Sequence, residues 1–127
     1  MKQVWVVDDD EEMNQAIGLI LKVLDCEVTS FHNARSAAQT LLTGKTPDLL
    51  ILDINMPEVS GLDLLEFLRR RHEWKELPVV MLSSEAADST VDRALQLGAD
   101  AYIMKPATIE DLQKAMEISI QKHLSTK

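Results

Sequence analysis

Four short apolar runs of this sequence lead to side chains that could do chemistry, namely Asp8 and Asp9, Asp53, Ser83 and Lys105. The carboxylate pair can hold a divalent cation, and the single carboxylate can act as a nucleophile. The hydroxyl can donate a hydrogen bond to a phosphoryl oxygen, and the ammonium group can neutralise the charge of such an oxygen. This set of groups suits phosphoryl chemistry, provided that the fold brings its members together.

The apolar runs alternate with helical patterns along the chain. Such alternation is typical of a parallel β-sheet that is covered by helices on both faces. It predicts an α/β fold of the (βα)5 type in one domain, residues 1–127, with a doubly wound, five-stranded parallel sheet. The order expected for this sheet is the flavodoxin-like 2-1-3-4-5, in which strands one, three and four are neighbours. The predicted strands cover residues 4–7, 26–31, 49–52, 78–82 and 101–104.

Residues at the ends of the predicted helices support this division. Asn33 suits the N-cap of the second helix, which is expected to run to about residue 42 and to end at Gly44. Thr108, followed three residues later by Asp111, resembles a capping box at the start of the fifth helix. Glycine and proline mark further boundaries, with Gly98 after the fourth helix and Pro57 and Gly61 in a loop before the third.

The predicted strand order brings the acidic residues into one crevice. In an open parallel sheet the residues that follow the strands gather at one edge, where ligands bind at the topological switch point. The carboxylates of Asp8, Asp9 and Asp53 would repel one another there unless a hard divalent cation joins them, and such a site suits Mg²⁺, for which Mn²⁺ can substitute. We expect Asp9 and Asp53 to be direct ligands and Asp8 to act mainly through water. The backbone oxygen of Asn55 would be a further ligand.

Most of these residues also have a simpler explanation. The acidic run at residues 8–10 would suit the N-terminus of a helix. Ser83 could cap the next helix, and Lys105 could be a solvated turn residue. Asp53 is harder to explain in this way, because it follows the apolar run at residues 49–52, where burial of an unpaired carboxylate would cost several kcal/mol.

The composition excludes several classes of function. With 127 residues and a net charge of −8, the chain is long enough for one buried core and too acidic for non-specific binding to nucleic acid or an anionic membrane. No apolar run approaches the ~20 residues of a membrane span, and no signal peptide is evident, so a cytoplasmic location and protein partners are expected. Cys26 is expected to be a buried thiol, and the three histidines lie too far apart for a zinc site.

Longer motifs surround the same positions. They are Val-Val-Asp-Asp-Asp at 6–10, Pro-Asp-Leu-Leu-Ile-Leu-Asp-Ile-Asn-Met-Pro at 47–57, Gly61, Pro-Val-Val-Met-Leu-Ser at 78–83, and Gly-Ala-Asp-Ala-Tyr-Ile-Met-Lys-Pro at 98–106. With these motifs and their spacing, the sequence resembles a response-regulator receiver domain of two-component signalling, and the resemblance extends from about residue 3 to about residue 122.

The resemblance implies a phosphoacceptor that acts in signalling. Asp53 would receive a phosphoryl group from a phosphohistidine on a sensor histidine kinase or histidine phosphotransfer protein, and Lys105 would support a phosphoryl oxygen. Ser83 and Tyr102 would be the switch that alters the surface of helix four, strand five and helix five. A downstream protein or a fused output domain would respond to that surface. The domain would catalyse its own phosphorylation and slow dephosphorylation, without turning over an external substrate.

The resemblance carries some finer expectations. The Lys105–Pro106 peptide bond would be cis, and Asn55 and Glu85 lie where the family tunes dephosphorylation. A phosphorylation-dependent homodimer would use charged residues on helices four and five and nearby. The chain end agrees equally with a stand-alone receiver and with the N-terminal part of a longer regulator. The candidates for dimer contacts are Asp92, Arg93, Asp100 and Lys114.

Three other functions would use some of the same residues. A haloacid-dehalogenase-like phosphatase also has an aspartyl nucleophile and Mg²⁺, but it needs a second carboxylate where this chain has Asn55. A nucleotide-binding flavodoxin-like module is disfavoured because the sequence lacks a glycine-rich phosphate loop. A receiver-like module that binds proteins without being phosphorylated would share the fold, although competent residues fill all the active-site positions.

Overall fold

Five parallel strands form one sheet in the order β2-β1-β3-β4-β5. This computed structural model describes residues 2–56, 58–84 and 88–124. The observed order confirms the predicted fold class and strand order. The strands are β1 (Lys2–Val7), β2 (Cys26–Phe31), β3 (Leu49–Asp53), β4 (Val79–Ser83) and β5 (Ala101–Met104), and the helices are α1 (Glu11–Val23), α2 (Ala34–Leu42), α3 (Gly61–Arg70), α4 (Asp88–Gln96) and α5 (Ile109–Leu124).

The sheet separates two apolar layers. All residues of β3 are buried, as expected for a central strand that is covered on both faces. Because successive side chains of a strand point to opposite faces, Leu50 and Leu52 pack in a cluster with residues of α2, α3 and α4. Leu49 and Ile51 pack in a second cluster with residues of α1 and α5. Cys26 belongs to this second cluster and is buried, as the sequence predicted.

Two strand boundaries differ from the prediction in a way that matters for the site. β3 extends one residue further than expected and ends at Asp53, because Asp53 pairs with Leu82 of β4. β4 begins at Val79 and ends at Ser83, because Ser83 pairs with Met104 of β5. The carboxylate and the hydroxyl therefore belong to the last residues of their strands, and each of these residues pairs with one neighbouring strand.

Hydrogen bonds at the helix ends explain where the helices begin. Asn33 caps α2 by accepting a bond from the backbone N–H of Ser36 at 2.7 Å, as predicted. Thr108 and Asp111 form the predicted reciprocal pair before α5. The prediction for Gly61 was wrong, because this residue is the first of α3 rather than part of a loop.

Ser60 caps α3, since its hydroxyl accepts a hydrogen bond from the backbone N–H of Asp63. Pro57, which the sequence also assigned to that loop, lies outside the described residues. Within the three described segments, no helix has both the length and the apolar character needed to cross a membrane.

Candidate functional site

The alternation of side chains places three of the predicted residues on one face of the sheet. By this alternation, the side chain of Asp8 points to the same face as those of Val4 and Val6, which pack toward α1 and α5. Asp53 likewise follows Leu49 and Ile51, and Lys105 follows Ile103. All three residues stand at the C-terminal ends of β1, β3 and β5, so their side chains converge at one edge of the sheet.

Lys105 joins the two buried carboxylates. Its Nζ lies 2.9 Å from Asp8 Oδ2 and 3.2 Å from Asp53 Oδ1, and its side chain is only 16% exposed. The Lys105 backbone N–H donates to the carbonyl of Ser83 at 2.8 Å, which fixes the start of the loop after β5. The Lys105–Pro106 peptide bond is cis, as the resemblance implied. Lys105 is therefore a member of the site rather than a solvated turn residue.

The acidic run after β1 divides into residues with different environments. Asp10 is the N-cap of α1 and accepts a hydrogen bond from the backbone N–H of Glu12 at 3.0 Å, so the helix-terminus explanation applies to this residue. Asp8 is fully buried, and its Oδ1 accepts a bond from the backbone N–H of Asp10 at 2.9 Å. Asp9 is exposed, at the mouth of the same crevice.

The three carboxylates lie close enough to share a cation. Asp8, Asp9 and Asp53 each offer one oxygen, and these oxygens all lie within 4.8 Å of one another. Asp8 Oδ2 is buried, and within the described part of the chain its polar contact is the ion pair with Lys105 Nζ. Three carboxylate oxygens this close together fit a hard divalent cation such as Mg²⁺.

The electrostatics of the site oppose a fully ionised state. Burial, together with the negative charge of Asp8, raises the pKa of Asp53 to about 6, although Lys105 acts in the opposite direction. Burial alone would lower the pKa of Lys105, but its bonds and charge interactions with Asp8 and Asp53 outweigh that effect and raise it. The lysine therefore stays charged, and a further positive charge would favour the ionised form of Asp53.

Ser83 and Tyr102 lie on the opposite face of the sheet from Lys105. Ser83 is fully buried and follows Met81 in the alternation of β4, and Met81 packs in the cluster with α3 and α4. Tyr102 pairs with Met81 in register and packs half-buried against the same cluster. Both proposed switch residues therefore face the side of the sheet that α4 covers. Glu85, which follows Ser83 by two residues, lies outside the described residues.

Asn55 lies beside the site and contacts Asp53 through its backbone N–H. Its backbone N–H approaches Asp53 Oδ1 at 3.4 Å, and its side chain is exposed. The role of its backbone oxygen as a cation ligand stays a prediction.

Two residues that support the site were given no role there by the sequence argument. Gly61 lies so close to the end of β3 that a Cβ atom there would overlap the carbonyl oxygen of Asp53. Asn14 is buried and donates a hydrogen bond from its side chain to the carbonyl of Asp8 at 2.7 Å. A signal for Asn14 was present, since it precedes Ile17 by three residues and so interrupts the apolar stripe of α1 with an amide.

The comparisons with known proteins agree with this geometry. The family model of the response regulator receiver domain matches residues 4–117. The chain belongs to this family. The receiver domain is 35% identical over 117 residues to the chemotaxis protein CheY1 of Helicobacter pylori strain J99, a match that covers 91% of this chain and 94% of that protein.

Longer regulators and solved structures match as well. The receiver domain is 33% identical over 129 residues to the KDP operon transcriptional regulatory protein KdpE of Escherichia coli, covering 99% of this chain but 54% of that protein. Among the first curated relatives, the chain spans 16% to 54% of their length. A receiver domain protein from Clostridium thermocellum has the same fold, with a TM-score of 0.89, 23% identity and full coverage of both chains.

Family membership decides between the functional classes that the sequence left open. Receiver domains are signalling modules of two-component systems and do not turn over an external substrate, which confirms the prediction on that point. The phosphatase and nucleotide-binding alternatives therefore give way to a receiver domain. In the receiver domain, Asp100 is buried and accepts hydrogen bonds from Arg69 and from the backbone N–H of Val79, and its part in a dimer stays a prediction.

Proposed function

We propose that Asp53 is the phosphoacceptor of this receiver domain. The observation that carries the proposal is the bridge from Lys105 to both Asp8 and Asp53 at the C-terminal edge of the sheet. Such a bridge supplies a fixed positive charge beside a buried carboxylate, where the charge of an incoming phosphoryl group must be balanced.

The contacts of Asp53 select which of its oxygens attacks. Within the described residues, Lys105 Nζ and the backbone N–H of Asn55 both approach Oδ1. Oδ2 is then the nucleophile that forms a bond to phosphorus while the bond from phosphorus to the donor nitrogen breaks. A pKa of about 6 leaves most Asp53 carboxylates ionised, and so reactive, at pH 7 and above.

We propose that Asp8, Asp9 and Asp53 hold Mg²⁺, with the backbone oxygen of Asn55 as a further ligand. When bound, the ion supplies positive charge opposite the transferring phosphoryl oxygens, and Mn²⁺ can replace it. The proximity of the three carboxylate oxygens supports this assignment. Lys105, whose Nζ contacts both Asp8 and Asp53, would balance the charge of one phosphoryl oxygen.

We further propose that Ser83 and Tyr102 transmit phosphorylation to the surface of α4, β5 and α5. A phosphoryl oxygen on Asp53 would draw the Ser83 hydroxyl toward it, and Tyr102 on the same face of the sheet would turn inward. Exposed apolar side chains on this surface suit a protein partner. They are Leu95, Met104, Ile109 and Ile118.

The partners follow from the same proposal. A sensor histidine kinase or histidine phosphotransfer protein would supply the phosphoryl group, and a downstream protein or a fused output domain would bind the altered surface. Residues 1–127 would act as one receiver domain, which the two apolar layers on a common sheet support. We propose the cytoplasm as its location, because the buried thiol of Cys26 suits a reducing compartment.

Phosphorylation by a small acyl phosphate tests the central proposal. The protein is incubated with acetyl phosphate and Mg²⁺, and its intact mass is measured over time. The wild type should gain one phosphoryl group and lose it slowly after the donor is removed, whereas Asp53→Asn should gain none. Asp63→Asn, at an exposed carboxylate on α3, is the matched control and should be phosphorylated. Equal gain in the wild type and Asp53→Asn would contradict the assignment of Asp53.

The absence of any gain in the wild type would instead favour the interaction module that is not phosphorylated. A parallel experiment without Mg²⁺ and with a chelator tests the cation. We expect the rate to fall by several orders of magnitude, and an unchanged rate would contradict the metal site.

A further inference from the structure

α1 buries the amide side chain of Asn14 at a position where an apolar side chain would pack better. The inward stripe of this helix consists of Asn14, Ile17 and Leu21, at the spacing of one helical face. Asn14 is only 3% exposed. A buried amide is unfavourable unless its polar atoms find partners, so its presence in this stripe calls for a polar function.

The side-chain NH₂ group of Asn14 donates a hydrogen bond to the backbone of Asp8. The side-chain Nδ2 donates to the carbonyl oxygen of Asp8 at 2.7 Å in a buried hydrogen bond. The other end of the same amide, Oδ1, is buried and has no hydrogen-bond partner among the described residues. Within the described part of the chain, the hydrogen bond to Asp8 is therefore the polar contact that explains an amide at this position.

The carbonyl of Asp8 belongs to the peptide unit that joins Asp8 to Asp9. A peptide unit is planar, so holding its oxygen also sets the direction in which the chain enters Asp9. The backbone N–H of Asp8 is held in turn by the carbonyl of Phe31 at 3.0 Å. The Asp9 carboxylate is exposed and makes no hydrogen bond or ion pair with any described residue. Its place beside Asp8 and Asp53 therefore depends on the backbone.

We propose that Asn14 is a positioning residue that orients the Asp8–Asp9 peptide and so presents the Asp9 carboxylate to a divalent cation. This inference rests on the proposed cation site. Asn14 acts through the backbone of Asp8 and touches neither the cation nor the phosphoryl group. Residues that orient metal ligands in this indirect way typically change metal affinity by about 10- to 100-fold when they are replaced.

Cation binding by matched variants tests the proposal. Mn²⁺ is titrated into the wild type, Asn14→Leu and Ile17→Val, and free Mn²⁺ is measured by electron paramagnetic resonance. Asn14→Leu removes the donor but keeps a helix-forming side chain in the stripe, and it should bind Mn²⁺ about 10-fold more weakly. Ile17→Val disturbs the packing of the same stripe without touching Asp8, and it should bind as the wild type does.

A second measurement separates positioning from a general loss of order. The ¹⁵N resonance of the Asp9 backbone amide, which shares the peptide unit with the Asp8 carbonyl, should shift in Asn14→Leu without any cation and stay in place in Ile17→Val. If Asn14→Leu does not fold, Asn14→Ala is measured in the same two ways.

Each outcome bears on the proposal. Equal Mn²⁺ affinity in the wild type and the folded Asn14 variant would overturn it, and so would an equal loss of affinity in Ile17→Val. Failure of the wild type to bind Mn²⁺ would overturn the cation site and this inference together. Normal binding by the wild type with no effect at Asn14 would overturn the inference alone.

Discussion

Asp53 is buried, and burial disfavours the negatively charged form of its carboxylate. The carboxylate is 3% exposed and lies near that of Asp8, and both conditions favour its neutral form. Lys105 offsets part of this effect but not all of it, because the pKa stays raised at about 6. At neutral pH, ionising Asp53 therefore costs more free energy in the folded domain than in the unfolded chain. Such a group is typical of a functional site.

Removing the charge of Asp53 should stabilise the domain in a pH-dependent manner. The pKa in the folded state is about 6, above the ordinary value of 3.8, so protonated Asp53 contributes stability that is fully present below about pH 4 and is lost as the pH rises through 6. Between pH 4 and pH 7, the free energy of unfolding of Asp53→Asn should therefore rise relative to that of the wild type by on the order of 2 kcal/mol.

The measurement is urea unfolding at a series of pH values without divalent cations. Glu117→Gln removes an exposed carboxylate from α5 and controls for the general effect of deleting one negative charge. A difference between Asp53→Asn and the wild type that stays constant from pH 4 to pH 7 would be incompatible with the raised pKa.

At the scale of the elements, the contact between α3 and β3 determines how Asp53 is presented. The backbone N–H of Gly61 donates to the carbonyl of Ile54 at 3.1 Å, which brings the first residue of α3 against the end of β3. A Cβ atom at this glycine would overlap the backbone oxygen of Asp53. Glycine is therefore needed here for close approach, and the start of α3 and the end of β3 must move together.

Gly61→Ala should destabilise the domain and disturb the site. Because the overlap involves backbone atoms, we expect a loss of about 2–3 kcal/mol in the free energy of unfolding and slower phosphorylation by acetyl phosphate. Gly18→Ala is a matched control, since Gly18 lies inside α1 with no atom near its Cβ position. This control should gain up to about 1 kcal/mol through helix propensity. Equal effects of the two substitutions, measured by urea unfolding, would refute the steric argument.

At the scale of the whole molecule, a buried ion pair joins several elements at the edge of the sheet opposite the site. Asp100 Oδ2 accepts hydrogen bonds from the backbone N–H of Val79 at 2.9 Å and from Arg69 Nη2 at 3.2 Å, and it lies 2.9 Å from His123 Nε2. Arg69 Nε donates to the carbonyl of Gly98 at 2.9 Å. The end of α3, the start of β4, the turn before β5 and the end of α5 are thereby joined.

Breaking this pair should affect stability without changing the chemistry. Arg69→Met leaves Asp100 as a buried charge without its arginine, so we expect a loss of about 3–5 kcal/mol in the free energy of unfolding. Arg70→Met is the matched control, because Arg70 pairs with Glu66 at 2.6 Å on the exposed surface of the same helix. That pair should contribute less than about 1 kcal/mol. The rate of phosphorylation, measured below the unfolding transition, should be the same for both variants and the wild type.

A similar cost for Arg69→Met and Arg70→Met would show that the buried network contributes no more than a surface pair. A large change in phosphorylation rate for folded Arg69→Met would show instead that the two edges of the sheet are coupled.

The sequence alone determined the features that depend on short-range patterns. Apolar runs and helical patterns predicted the strands and helices that the described residues form, and Asn33 and Thr108 marked two helix starts through their caps. The position of Asp53 at the end of a buried run also pointed to the site, because residues that follow parallel strands must meet at one edge. These inferences need only the period of each element and the direction of the strands.

The tertiary structure decided which distant groups touch. Lys105 contacts both Asp8 and Asp53, Asn14 holds the Asp8 carbonyl, and Asp100 is used inside the domain. None of these contacts follows from local spacing, because each depends on which strands are neighbours and on how closely a helix approaches them. The free energy of a polar side chain is set by its burial and its partners, and both are known only once the chain has folded.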